Sequence, residues 1–253
     1  MYEQVKALPW EAFIPQNGAV NVNAKALKST LKSDRSCQSI VKKAIFDRIK
    51  DRNKLELLDE TGPNINVDVS IFREIVTIAL ETSCVGQHKL RYLIAAGDAP
   101  LKETLAAGLV LLSRWKKQEI LIDPMCGSGT LPIEAAMIAR NIAPGLRRSF
   151  AAEQWNFIDD TEWASAREEA WEGIEQDGEL SIFGYDIDAV GIEDSKNNAH
   201  NAGVAEDITF EQVDVKALWI DRQIGSIITN PPYGRRMAEY RDLNQIYISL
   251  NKT

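Results

Sequence analysis

The chain has 253 residues and a formal net charge of −8, with 45% hydrophobic and 26% charged residues, the content of a soluble globular protein with a sizeable core in one large domain or two ordinary ones. No apolar run approaches the roughly 18 residues that span a bilayer, and the opening MYEQVKALPW has no charged start followed by an apolar block, so neither a membrane partner nor an export signal is expected. Cys37, Cys84 and Cys126 have no metal-type spacing and cannot all pair within one chain, so the expectation is a reduced, cytoplasmic protein without a metal.

The charge is unevenly spread. Residues 25–54 hold ten lysines and arginines, among them Lys25, Lys28, Lys32, Arg35, Lys42 and Lys43, against Asp34, Asp47 and Asp51. Such a block suits a phosphate-gripping surface joined to an acidic remainder, or else one solvated helix face. Within it, CQSIVKKAIFDRIK places Ile40, Val41, Ala44, Ile45 and Ile49 near helical spacing. NINVDVSI alternates Ile65, Val67, Val69 and Ile71 with polar residues and predicts a half-buried strand. EIVTIALE after a brief turn predicts its antiparallel partner. Up to about residue 95 this reads as a small α+β unit.

After AAGDAP the pattern changes to alternating helix and strand. PLKETLAAGLVLLSRW predicts a helix, EILID a strand, GTLPIEAAMIARNI a helix with Pro132 in its first turn, and LSIFGYD a strand. AVGIEDSKNNAHNAG is a helix, ITFEQV a strand and GSIIT another. That order predicts βαβ crossovers and an α/β, doubly wound, mainly parallel sheet. Between Gly145 and Gly178 lies an insertion carrying Trp155, Trp163 and Trp171. The last two are expected to bury one stripe of an added helix. No internal repeat or low-complexity segment occurs. After the fourth strand one helix's worth of sequence remains, which leaves the last sheet edge exposed.

In an open parallel sheet, ligands bind beyond the carboxyl ends of the strands. Four candidates stand there in order. In LIDPMCGSGT, Asp123 closes a strand and Gly127, Ser128 and Gly129 form a tight turn that lets backbone N–H groups approach a ligand. A phosphate loop would end in Gly-Lys-Ser/Thr, which is absent, and a dinucleotide loop would read GxGxxG. An acidic residue before the turn suits an amino-acid-like ligand carrying an ammonium group. In FGYDID, Asp186 can accept from vicinal ribose hydroxyls, while Asp188 reads as a ligand or as a helix cap. In EQVDV, Asp214 reads either as acceptor for an adenine amino group or as a loop aspartate. Amino acid, ribose and adenine together describe S-adenosylmethionine. The fourth is IITNPPYGRR. Asn230 and a neighbouring backbone carbonyl can accept both N–H bonds of an exocyclic amino group and aim its nitrogen at a sulfonium methyl. Pro231 and Pro232 remove competing donors and stiffen the loop. Tyr233 offers a face on which an extruded base can stack.

DPMCGSGT, GYDID and NPPYG, with APLKETLAAGLVLLSRW and NIAPGLRRSFAAEQW, resemble the THUMP-domain class I RNA methyltransferases along essentially the whole chain. The group most similar in these motifs methylates N2 of guanine in large-subunit ribosomal RNA and has tRNA-modifying relatives. The resemblance implies a partial THUMP-like RNA-binding region over 1–95 and an S-adenosylmethionine-dependent domain over 96–253. It implies that Asp123, Pro124, Cys126, Gly127, Ser128, Gly129 and Thr130 line the methionine part of the cofactor, with Asp186 at the ribose and Asp214 by the adenine. Asn230, Pro231, Pro232 and Tyr233 would hold the target base. KALKSTLKSDRSCQSIVKKAI resembles the last part of a THUMP domain, which marks Lys25, Lys28, Lys32, Arg35, Lys42 and Lys43 as RNA-binding. The family reads Leu-His-Lys-Arg-Gly-Tyr-Arg where this chain has SCVGQHKLRYL, keeping His88 and Lys89. The family also has a ferredoxin-like segment ahead of this start and further strands after this end, so a piece of a longer protein, truncated at its C-terminus, is expected. Other acceptors for the same motif are tRNA guanine, adenine N6 in DNA and protein glutamine; a non-catalytic RNA-binding remnant is the reading from another class.

Overall fold

Small apolar and polar side chains alternate over Ala19–Leu27, and this stretch is the first strand, β1, in the computed structural model, which describes residues 1–83, 92–93, 101–155, 158–219 and 225–231. The chain divides into two units, Met1–Val85 with Ser149–Arg167, and Gly86–Arg148 with Glu168–Thr253. In the first, β1 lies between a short helix α1 (Tyr2–Lys6) and a long one, α2 (Asp34–Asn53). Ser33 caps α2, its Oγ accepting from Ser36 N at 3.2 Å. Helix α2 connects β1 to β2 (Asn64–Phe72), which pairs parallel to it from Ala19 opposite Asn64 to Leu27 opposite Phe72. Strand β3 (Ile75–Glu81) returns antiparallel through Arg73 and Glu74, whose φ angles of 49° and 64° are those of a type I′ hairpin turn. The sheet order is β1-β2-β3. One face buries Val20, Ile65, Val67 and Ile71 against Val41, Ala44, Ile45 and Ile49 of α2, all within 1% of fully inaccessible. Burying each of the larger side chains contributes about 1.5–3 kcal/mol. The other sheet face carries Asn21, Asn23, Lys25, Asp68 and Ser70 in the open.

The second unit begins its described part with α3 (Glu103–Ser113), β4 (Ile120–Asp123) and α4 (Thr130–Ala139). It continues through α5 (Asp160–Glu172), shared with the first unit, and through β5 (Ile182–Asp186), α6 (Ala189–Ala202), β6 (Ile208–Gln212) and β7 (Gly225–Ile227). The sheet order is β6-β5-β4-β7 with every pair parallel, the expected α/β architecture. TLPIEAAMIA is apolar nearly all round because α4 is buried nearly all round, packed against α3, α6 and the sheet. Pro132 sits in its first turn, where a missing N–H costs little. Past its end, Arg140 pairs with Asp207 and donates to the carbonyls of Asp177 and Gly178, which ties α4 to the approach to β6 and to the turn before β5.

The tryptophan insertion packs differently from the expectation. Trp155 (2% exposed) and Ala152 complete the core of the first unit, Ala152 N donates to Thr82 O at 3.1 Å, and Trp163 packs partly buried against the same core. Trp171 is 50% exposed, and no residue of α5 is fully buried. Two rings on an otherwise charged helix make too narrow a stripe to bury, and the Arg147 guanidinium stands over Trp171, 6.0 Å from its ring centre. Predicted helix ends also ran long: α3 starts at Glu103, with Pro100 outside the described residues, and α4 stops at Ala139, before Pro144.

Candidate active site

The sheet reverses its order beside β4: the chain moves from β4 outward through β5 and β6, then returns to lay β7 on the other side of β4. This is a topological switch point, and the loops leaving β4 and β7 border its crevice. Asp123, the last residue of β4, is 2% exposed and accepts from Met125 N at 3.2 Å. Pro124 and Cys126 are buried beside it. Two glycines then turn the chain into α4. Gly127 has φ +53° and a Cβ there would meet nothing within 4 Å, so the left-handed backbone demands glycine while the space beside the loop stays open. Gly129 caps α4 at φ +80°, and a Cβ there would come within 2.8 Å of the Ser195 Cβ and 3.0 Å of the Phe210 ring. Ser128 and Thr130, both buried, bring their hydroxyls to 3.5 Å. The buried Asn198 of α6 donates from Nδ2 to Ser128 O at 3.1 Å and so braces the turn.

Asp186 at the end of β5 closes on this loop. Its Oδ2 accepts from Gly127 N at 2.8 Å and its Oδ1 from Asp188 N at 2.9 Å. Asp188 is the cap of α6, its Oδ1 accepting from Val190 N at 3.0 Å. The next residue after Asp186, Ile187, is 65% exposed and is held through its carbonyl by Gln212 Nε2 at 2.9 Å. Asp214 lies two residues past β6, one past Val213, whose N donates to Asp186 O; the Asp214 Oδ1 accepts from Lys216 N at 2.9 Å in a local turn.

On the other side, Ile228 N donates to Ile122 O at 3.0 Å and extends the β4–β7 pairing by one step. Thr229 Oγ1 is shut off from solvent beside the Asp123 carboxylate, short of full hydrogen-bond geometry with it. Asn230 and Pro231 follow, both half-buried. Pro232 and Tyr233 lie outside the described residues, as do Cys84, His88 and Lys89.

Burial pushes the Asp123 carboxyl up to about 7; Thr229 and the Met125 N–H act in the opposite direction, and the Asp186 charge adds to the rise. A carboxylate moved this far toward neutrality in a crevice marks a place that gains from an incoming cation. Burial first, then the charges of Asp123 and Asp186, also drive the Cys126 thiol far up, so it is a neutral wall rather than a nucleophile. Sequence reasoning missed Asn198 and Thr229. Asn198 did leave a trace, as a polar residue at helical spacing on the buried face of α6 with Ser195 and Ala199.

The six cations marked for RNA divide in the structure. Lys25 sits on the open sheet face, and Lys28, Lys32 and Arg35 are exposed in the β1–α2 connection and first turn. Lys42 pairs with Glu60 at 3.0 Å, and Lys43 stands 6.0 Å from the centre of the Tyr2 ring.

The THUMP domain family matches residues 1–81 and the UPF0020 family, RMKL-like methyltransferase domain, matches residues 91–253. The Bacillus subtilis protein YpsC, provisionally named an RNA methyltransferase, is 42% identical over 249 residues, 98% of this chain and 65% of its own length. The ribosomal RNA large subunit methyltransferase K/L of Syntrophotalea carbinolica is 32% identical over 271 residues, 100% of this chain and 37% of its own. The chain thus spans less than two thirds of either relative. Two crystal structures superpose over 99% of the chain: a Listeria monocytogenes protein described as a predicted N6-adenine-specific DNA methylase (44% identity, TM-score 0.94, 66% of its length), and SMU.472, provisionally described as a methyltransferase and complexed with S-adenosylhomocysteine (33%, 0.92, 67%). By these matches the chain belongs to the UPF0020 family of RMKL-like methyltransferases, with a THUMP domain preceding the methyltransferase domain.

Proposed function

We propose that this chain uses S-adenosylmethionine to methylate an exocyclic amino group of a base in structured RNA, N2 of guanine in large-subunit ribosomal RNA foremost, as a cytoplasmic enzyme. The observation that carries the reading is the switch point of the sheet, where a buried acid and an open glycine turn locked to a second acid follow β4, and Asn230 follows Thr229 in the loop leaving the neighbouring β7. A relative bound to S-adenosylhomocysteine supports the cofactor, and relatives named for ribosomal RNA, with the THUMP match, support the acceptor.

The cofactor supplies a methyl group on a sulfonium centre, and the electron pair of the broken S–C bond stays on sulfur as S-adenosylhomocysteine forms. Asp123 receives the methionine ammonium, which restores the charge that burial disfavours. Asp186 spends one lone pair per oxygen on Gly127 N and Asp188 N, and its remaining pairs accept from the two ribose hydroxyls. Ile187 gives the adenine an apolar face, and Asp214 accepts from its amino group through the oxygen that Lys216 N does not use. Asn230 Oδ1 and a neighbouring backbone carbonyl accept the two N–H bonds of the target amine, raise electron density on its nitrogen and align its lone pair with the methyl carbon. The nitrogen then sheds one proton to water.

The test is transfer of tritiated methyl to RNA, DNA and protein acceptors in parallel. Label in RNA that digests to N2-methylguanosine is expected. Label confined to DNA, as the Listeria relative's description would have it, or to protein overturns the acceptor. Asn230→Ala should remove transfer to RNA.

A further inference from the structure

The open face of the first unit's sheet is polar except at one end. Leu27, Phe72 and Ile75 stand in register across β1, β2 and β3 and are 52%, 45% and 70% exposed. The row beside them is Lys25, Ser70 and Thr77, and the rows beyond are Asn23, Asp68 and Ala79, then Asn21, Asn66 and Glu81. Three exposed apolar side chains in one row are not needed by the core, which lies on the opposite face.

The rim of this row is cationic and organised. Lys28 follows Leu27 at φ 52°, Arg73 follows Phe72 and donates from N to Leu27 O at 3.4 Å, and the Arg73 guanidinium lies 5.2 Å from the Phe72 ring centre. Lys25, Lys28, Lys32, Arg35 and Arg73 are all exposed, and none pairs with an acid among the described residues. The acids near this rim are used on the protein itself, Asp68 accepting from Asn23 Nδ2 at 3.2 Å. Glu74 accepts from Thr30 N at 2.7 Å and from the hydroxyls of Ser29 and Thr30, contacts that hold its carboxyl below the usual range. Asp34 accepts from Ala26 N at 2.9 Å. Glu74 thereby fastens the Lys28–Lys32 loop to the hairpin turn that carries Arg73.

We infer that this end of the sheet is a stacking platform for an unpaired nucleotide of the RNA: a base lies on Phe72 between Leu27 and Ile75, and Lys25, Lys28, Lys32 and Arg73 hold the flanking phosphates. The inference rests on the RNA reading above and deepens it. A base has two apolar faces and a charged backbone, which matches an apolar row inside a cationic rim; paired bases, buried in their own stack, do not. An apolar protein partner would find this rim unfavourable to desolvate.

The experiment uses the full chain, a short single-stranded oligoribonucleotide with a central 2-aminopurine, and a blunt RNA duplex of the same sequence. Phe72→Leu keeps an apolar side chain and the fold but removes the ring; Phe72→Trp keeps a ring. Quenching of 2-aminopurine by the wild type is expected, with roughly tenfold weaker single-strand binding by Phe72→Leu, recovery by Phe72→Trp and no change in duplex binding. Wild-type affinity in Phe72→Leu, or equal loss for single strand and duplex, overturns the platform and leaves the methyltransferase reading standing. A self-association abolished by Phe72→Leu would make the row a protein contact and overturn it as well. If the wild type binds neither RNA, the acceptor proposed above fails first.

Discussion

Replacing Asp123 by asparagine sets stability against ligand binding, with opposite signs in one residue. The carboxyl is moved from 3.8 to about 7 chiefly by burial, which at 1.36 kcal/mol per pH unit corresponds to about 4 kcal/mol. Below pH about 4 the folded and unfolded chains both hold the proton, and burial of the neutral group costs little. Between about 4 and 7 the unfolded chain releases the proton while the folded chain keeps it, so the wild type loses stability as pH rises; above about 7 the full cost is in place. The substituted amide is uncharged throughout. Urea unfolding should therefore find Asp123→Asn close to wild type at pH 4 and more stable at pH 8, by up to about 4 kcal/mol, since any relaxation around the charge reduces the figure. Titration with S-adenosylhomocysteine should move the other way: the variant loses a charge-assisted contact of roughly 1.5–3 kcal/mol, on the order of 10–100-fold in affinity at pH 8, and wild-type binding weakens below pH 7. A stability difference that does not change between pH 4 and pH 8, or a variant that binds the ligand as tightly as wild type, would refute the reasoning.

Three further outcomes are expected. Asn230→Ala should lower kcat roughly 10²–10³-fold with ligand affinity unchanged by calorimetry, because it acts on the target amine and not on the cofactor. Gly129→Ala should lose at least about 2 kcal/mol in thermal or urea unfolding, since φ +80° and a Cβ 2.8 Å from Ser195 combine against it. Arg140→Ala should cost about 3 kcal/mol by the same measurement, as it leaves Asp207, 14% exposed, without its cation and frees two backbone carbonyls; a change below 1 kcal/mol would mean that the pair is solvated in practice.

Much of the fold could be read from residue order. The alternation in NINVDVSIF, the β-branched and apolar runs ILID, IFGYD and ITFEQ, and the helical spacing in α2 are local patterns whose periods match their elements. The strand over AVNVNAKAL was overlooked because its inward residues are Val20, Val22, Ala24 and Ala26, and alanines carry little hydrophobic signal beside the conspicuous lysines. Asp188 and Asp214 were each open to two readings. The cap contact of Asp188 and the turn contact of Asp214 are now visible, and neither uses up its carboxylate.

Sequence alone put the candidate acids and glycines at the strand ends, because glycine and aspartate are read out by short-range geometry: a left-handed turn and a strand terminus. Tertiary structure alone decided that β7 lies beside β4, which sets Thr229 against Asp123, where it opposes the rise that burial imposes on that carboxyl, since strand order depends on contacts far apart in the chain. It also decided which cations share a surface, because Lys25 and Lys43 project from opposite sides of one sheet–helix layer and no count of charge along the chain can separate them.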